Sequence, residues 1–215
     1  MPNEQVKHYS ISVVTPPASE PVSKAEAWLH LRVDDPTVIA DEDSLITDLI
    51  QAAREHVEMW TRRTFMPATF DMFMDAFPNP FDTRNPFVFF KERPFRILLP
   101  RSPFKTLTWL KYYDLNNDLQ TLVSGTDFQI DTSNDPARID PIFDTVWPVT
   151  YPRYQAVNIC FQAGYADATS VPACAKIAMK QLIGDMYAVR EQSGSPKVDN
   201  KTYDRLLSGI TLWEF

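Results

Sequence analysis

The sequence predicts an α+β protein in which a large antiparallel β module is inserted between helices. Three observations carry this. Apolar residues recur at spacings of three and four in "DEDSLITDLIQAAREHVEMWTRR" and again after Pro172. Between these segments the period changes to two. Turn clusters such as "PRSP", "LNND" and "TSNDPA" break up the middle at short intervals.

Residues 1–22 read as an extended arm, because "TPPASEP" favours polyproline-like backbone and opposes helix. At Ser23 the pattern changes. "SKAE" forms a capping box, in which Ser23 accepts from the Glu26 N–H and Glu26 reaches back. Val22 and Ala27 are spaced as a hydrophobic staple. A short helix follows with Ala25, Trp28 and Leu29 on one face. It is expected to end near Val33, ahead of Asp34, Asp35 and Pro36. The next helix is expected to start at Asp41, with Glu42 and Asp43 in its first turn. Leu45, Leu49, Ala53, Val57 and Trp60 form its buried stripe.

In the middle region "TFDMFMDAF" sets Phe70, Met72, Met74 and Ala76 against Asp71, Phe73 and Asp75. "DFQID" alternates Phe128 and Ile130 with polar neighbours, and "AVNICFQAGY" puts Val157, Ile159, Phe161 and Ala163 on one face. "RILLP", "FKTLTWLKYYD" and a strand near Leu119 complete the module. Pro172 then suits the first turn of a third helix. Its apolar arc (Ala175, Ala178, Met179, Leu182, Ile183, Met186) is broad enough to imply contacts on more than one side. "SGSPKVDN" breaks it, and the last segment places Tyr203, Leu206, Leu207 and Ile210 on one face before Trp213 and Phe215. The predicted organisation is therefore an arm at 1–22, helices one and two at 23–63, the β insertion at 64–165, helix three at 166–192, and a linker with a final helix and tail at 193–215.

Composition narrows the function. The 215 residues hold 44% hydrophobic and 23% charged side chains, enough to bury a sizeable core. Eighteen prolines against five glycines favour stiff turns over mobile catalytic loops. A net charge of -7 opposes tight binding to nucleic-acid phosphates. No apolar run suits a membrane span or a secretion signal, so a cytosolic origin with reduced cysteines is expected.

Motifs for chemistry are sparse. "ICFQAGYADATSVPAC" holds both cysteines and reads as strand, turn and proline-started helix. His8, His30 and His56 have no ligand spacing among them. "DDPTVIADEDSLITD" lacks the central glycine and the ligand spacing of a calcium loop, and reads as helix capping on an acidic surface. Asp71, Asp75, Asp127 and Asp131 could supply a glycosidase pair, although strand alternation turns them outward. Arg93, Arg96, Arg101 and Lys105 lie near aromatics, where a solvated turn competes with a nucleic-acid patch. No G-x-S-x-G, P-loop or G-x-G-x-x-G occurs.

The order of segments resembles the head-to-tail connector (adaptor, head-completion) proteins of tailed bacteriophages, including prophage and gene-transfer-agent relatives. The residues that carry it are "TPPASEPVSKAEAWLHLRVDD", "DEDSLITDLIQAAREHVEMWTRR", "ILLPRSPFKTLTWLKYYDLNND", "DFQIDTSNDPARIDP" with "WP", and "AVNICFQAGYADATSVPACAKIAMKQLIGDMYAVRE". They run in order from Pro16 to Glu191. The usual glycine-bearing turn after "YYD" is "LNND" here, "FPNPFDTRNPFVFFKERPF" is long, and the match is weak after Gln192.

The resemblance implies a small helical bundle carrying a β insertion. It implies a ring, dodecameric in such relatives, between a portal and a stopper or tail-completion protein at the virion neck. Double-stranded DNA would pass through the lumen, and neither catalysis nor a cofactor or metal is expected. The protein would be made in the cytoplasm of a bacterial host and end in the virion. On that basis Leu206, Leu207, Ile210, Leu212, Trp213 and Phe215 are expected to dock on the portal. Truncation after Ser195 is expected to leave a folded protein. Ala175, Met179, Ile183 and Met186 are expected at the ring interface, because ring contacts bury two different faces of each subunit. Asp34, Asp35, Asp41, Glu42 and Asp43 are candidates for an acidic lumen that repels DNA within about a Debye length, roughly 8 Å. The alternatives are a carbohydrate-acting or other hydrolase built on the β module, and a nucleic-acid-binding module.

Overall fold

In a computed structural model of the protein, residues 9–78, 96–188 and 201–212 are described. Among them are eight strands and five helices. The chain divides into two compact units, one of residues 1–16 and 68–163, the other of residues 17–67 and 164–215.

The β unit holds a five-stranded antiparallel sheet ordered β1 (Tyr9–Thr15), β2 (Ala68–Met74), β8 (Val157–Ala163), β4 (Phe104–Tyr113) and β5 (Leu119–Leu122). A three-stranded sheet is ordered β3 (Ile97–Leu98), β7 (Arg138–Pro141) and β6 (Phe128–Asp131). The alternation legible in β2 and β8 is observed: Phe70, Met72 and Met74 are buried, as are Val157, Ile159, Phe161 and Ala163, whereas Ala76, past the end of β2, is exposed. Together with Ile97, Phe128 and Ile139 of the smaller sheet they make one core. Period-two patterning works here because successive side chains leave a strand on opposite faces, and only one face meets the second sheet. Phe77 stacks on Trp147 at 4.8 Å between centroids and closes one end of that core.

Two strands differ from the expected pattern. The arm at 1–22 is extended where described, but Tyr9–Thr15 is strand β1, paired antiparallel with β2. Arg138–Pro141, read as following a turn, is strand β7.

The helical unit contains α1 (Lys24–Leu31), α2 (Pro36–Asp41), α3 (Asp43–Thr61), α4 (Ala173–Ala188) and α5 (Lys201–Ser208). The capping box at α1 is complete: Ser23 Oγ accepts from the Glu26 N–H, and Glu26 Oε2 accepts from the Ser23 N–H at 2.9 Å. Val22 and Ala27 are both buried beside it. Leu29, however, is 81% exposed, because the buried face of α1 runs through Ala27 and Trp28. The helix expected from Asp41 begins two residues later, and a short helix that the sequence did not suggest precedes it. Asp35 caps the short α2 by accepting from the Thr37 N–H, Pro36 opens it, and α3 begins at Asp43. The stripe of α3 is Ile46, Ile50, Ala53, Arg54, Val57 and Thr61, while Leu45 and Leu49 are half-buried flanks and Trp60 is exposed. With α2 the observed helices number five, and the strands β2 to β8 lie between α3 and α4.

One core joins α1, α3, α4 and α5. Arg54 of α3 is buried at the edge of this unit. It bonds Glu20 at 2.7 Å and Glu58 at 2.9 Å, and Glu58 also accepts from the Phe65 N–H at 2.7 Å. These bonds tie the residues before α1 and after α3 to the helix between them. Gly164, at φ +119°, follows β8; a Cβ there would lie 2.4 Å from the Met66 carbonyl oxygen, so only glycine fits this turn.

Candidate assembly surfaces

The predicted site residues fall into three groups, beginning with the carboxylates. Asp34, Asp35, Asp41 and Asp43 are exposed and Glu42 is half-buried. Three of the five carboxylates also serve the fold. Asp35 is the α2 cap, Asp43 pairs with Lys24 at 2.6 Å, and Glu42 accepts from the Tyr187 hydroxyl of α4. What remains is a negatively charged surface along α2 and the start of α3.

The second side of the broad α4 arc is met by this chain's own helices. Ala175, Met179 and Ile183 are fully buried in the core shared with α1, α3 and α5, and Met186 is half-buried against it. An interior position cannot also meet a neighbouring copy, so Ala175, Met179 and Ile183 are corrected from surface to core. The reason is that an apolar arc records burial and not which chain does the burying.

A similar division applies to the C-terminal segment. Leu207 is 0% exposed and belongs to the core with Tyr203, whereas Leu206, Ile210 and Leu212 are half-buried. The Leu212 N–H donates to the Thr61 carbonyl at 3.0 Å, and Arg63 Nε donates to the Ile210 carbonyl. Truncation after Ser195 would therefore remove core residues. Trp213 and Phe215 lie outside the described residues.

Several residues weighed for chemistry, and Asp167 beside them, serve the structure. Asp131 accepts from Ser133 and Asn134, and Asp167 from Thr169 and Ser170. These hydrogen bonds hold both carboxyls down at about 2. Asp127 accepts from the Val123 N–H and Asp75 from the Gln155 N–H. Cys160 is buried and Cys174 half-buried, and both are free thiols. Burial, with a hydrogen bond to Asp71, pushes the Cys160 thiol up, away from the reactive thiolate. Arg96 bonds Asp140 at 3.4 Å and Arg101 lies over the Phe70 ring, so these two do not form a free cationic patch; Arg93 lies outside the described residues. Among the described residues, no group of three or more His, Cys, Asp or Glu is placed to hold a metal ion. Nor is any helix there long and apolar enough to cross a membrane.

Sequence reasoning missed an aromatic loop. After β7 the chain presents Phe143, 93% exposed, and Tyr154, 85% exposed, with Val146 and Val149 also open. Trp147 anchors the loop in the β core, and Arg153 lies 3.9 Å from the centre of the Tyr113 ring. The signal was present as a dense apolar stretch, "IFDTVWPVTYPRY", with no periodicity.

No family model matches the chain, and no curated protein matches it. Solved structures do. A chain in the neck of an empty gene transfer agent particle, computed with C6 symmetry, is 19% identical with a TM-score of 0.70 over 96% of this chain and 97% of that one. A chain in the virion of a native gene transfer agent particle is 18% identical with a TM-score of 0.71, over 95% and 96%. One in the neck of a native particle, computed with C12 symmetry, is 17% identical with a TM-score of 0.66, over 96% and 97%. The fold of this chain is thus that of chains in gene-transfer-agent necks, in keeping with the connector resemblance.

Proposed function

We propose that this protein is a structural subunit of a virion neck. It forms a ring below the portal, joins the capsid to a stopper or tail-completion protein, and lets double-stranded DNA pass without specific binding. The observation that carries the reading is the end-to-end similarity to chains in gene-transfer-agent necks, which spans both units and nearly the whole of each chain. Particles computed with sixfold and twelvefold symmetry support a ring. The exposed carboxylates Asp34, Asp35, Asp41 and Asp43 suit a lumen face, since a basic channel would retain DNA. A hydrolase would need a carboxyl raised by burial or a like charge, whereas Glu26, Asp114, Asp131 and Asp167 are held low by their hydrogen bonds.

Portal docking falls to Leu206, Ile210 and Leu212 with Trp213 and Phe215, and Leu207 supports them from the core. Truncation after Leu212 removes Trp213 and Phe215, leaves every described core residue in place, and tests this. The shortened chain should keep its urea midpoint and fail to join portal-bearing heads. Undiminished joining would refute the docking role.

A further inference from the structure

Among the described residues, the five-stranded sheet has two open edges, since β1 and β5 each pair on one side only. An open edge presents a row of unpaired N–H and C=O groups, and proteins usually blunt it with charge, proline or brevity. Strand β1 does none of these, and its one irregularity, a register shift between Val13 and Thr15, comes after Ser10 and Ile11. Its seven residues, "YSISVVT", carry no charge and no proline, and Val13 and Val14 are more than half exposed. Strand β5, "LQTL", is short but also uncharged, with Leu119 54% exposed.

The register across the sheet makes these edges complementary. Ser10 pairs with Phe73, Phe73 with Asn158, Asn158 with Lys111, and Lys111 with Thr121. The next row runs Ile11, Met72, Ile159, Leu110, Leu122. Thr121 and Ser10 therefore end one row, on the face away from the core. Leu122 and Ile11 end the next, and both pack against the core. Five antiparallel strands are an odd number, so β1 and β5 run in the same direction.

We propose that neighbouring copies join edge to edge through this sheet, with β5 of one copy lying parallel to β1 of the next and setting Thr121 beside Ser10 and Leu122 beside Ile11. The contact uses two different edges of each subunit, so it is heterologous and closes into a ring when the rotation permits. Parallel pairing follows from the rotation, which preserves strand direction, and the match of polar to polar and apolar to apolar fixes the phase. The inference rests on the ring-forming neck reading and names the surfaces that close the ring.

The test uses the full chain with Cys174→Ser, carrying Ser10→Cys and Thr121→Cys, oxidised over a concentration series and run on a non-reducing gel. Both substituted positions are exposed. A ladder of dimer, trimer and higher species is expected from the pair, and nothing beyond dimer from either single variant. Adding Val13→Lys, a charge on the β1 edge, should abolish the ladder. Dimers from S10C alone, with no ladder from the pair, would indicate twofold β1 pairing and overturn the proposal. Rings seen by electron microscopy without a ladder would overturn the pairing and leave the neck reading standing. A chain that stays monomeric with no ladder also overturns the pairing, and the head-joining assay still judges the neck reading separately.

Discussion

Replacing Leu207 by alanine separates a core role from a docking role for the C-terminal helix. Leu207 is fully buried, and α5 is only eight residues long, too short to hold its helix alone. The substitution removes three carbons, worth about 2.4 kcal/mol at roughly 0.8 per buried group. The cavity left beside Tyr203 adds to this, giving a loss of about 3 kcal/mol. For a chain of this size that lowers the melting temperature by about 6–12 °C. The same change at half-buried Leu206 should cost less than about 1.5 kcal/mol. Urea and thermal unfolding of both variants, read by circular dichroism, provide the comparison. If L207A unfolded with the wild-type midpoint, α5 would not be packed on α3 and α4, and the reassignment of Leu207 from docking surface to core would fail.

Arg54→Met should destabilise the protein by about 2–3 kcal/mol in urea, because Glu58, at 13% side-chain exposure, loses its guanidinium partner and keeps the Phe65 N–H, while Glu20, at 29%, recovers part of its hydration. Gly164→Ala should cost more than about 2 kcal/mol by the same measurement, since both its backbone angle and the Met66 carbonyl exclude a Cβ. The Asp167 carboxyl should titrate at about 2 by NMR, against about 3.9 for an unfolded chain. Its folded value is the lower one, so its contribution is complete above about pH 4 and fades as pH falls towards 2. A titration midpoint near 4 would mean that the bonds from Thr169 and Ser170 do not form.

Local signals were the legible ones. The capping box needs only four consecutive residues, and Ser23 and Glu26 stand where the sequence put them. The alternation of β2 and β8 survives because both are interior strands with one face on the core. Signals that depend on distant partners were not legible. Strand β1 exists because β2, more than fifty residues away, supplies its hydrogen bonds; alone, "ISVV" is a short apolar run. "DDP" reads as a helix stop, and it is also the cap and first residue of α2. On α3 two apolar rows lie side by side, and spacing could not choose between Leu45–Leu49 and Ile46–Ile50. At the candidate surfaces, the sequence revealed that Ala175, Met179 and Ile183 would be covered, but not that α1, α3 and α5 would cover them.

The Glu26 carboxylate that completes the capping box also accepts from Lys176 of α4 at 3.0 Å, across 150 positions of sequence. The ribosome makes roughly 5–20 residues per second. The first helix of this protein must therefore wait about 8–30 s for its partner to be synthesised. During that interval Trp28, Ile46 and Ile50 have no α4 or α5 to cover them. A nascent chain stalled anywhere before Leu207 thus carries a helical core that is still missing one of its walls.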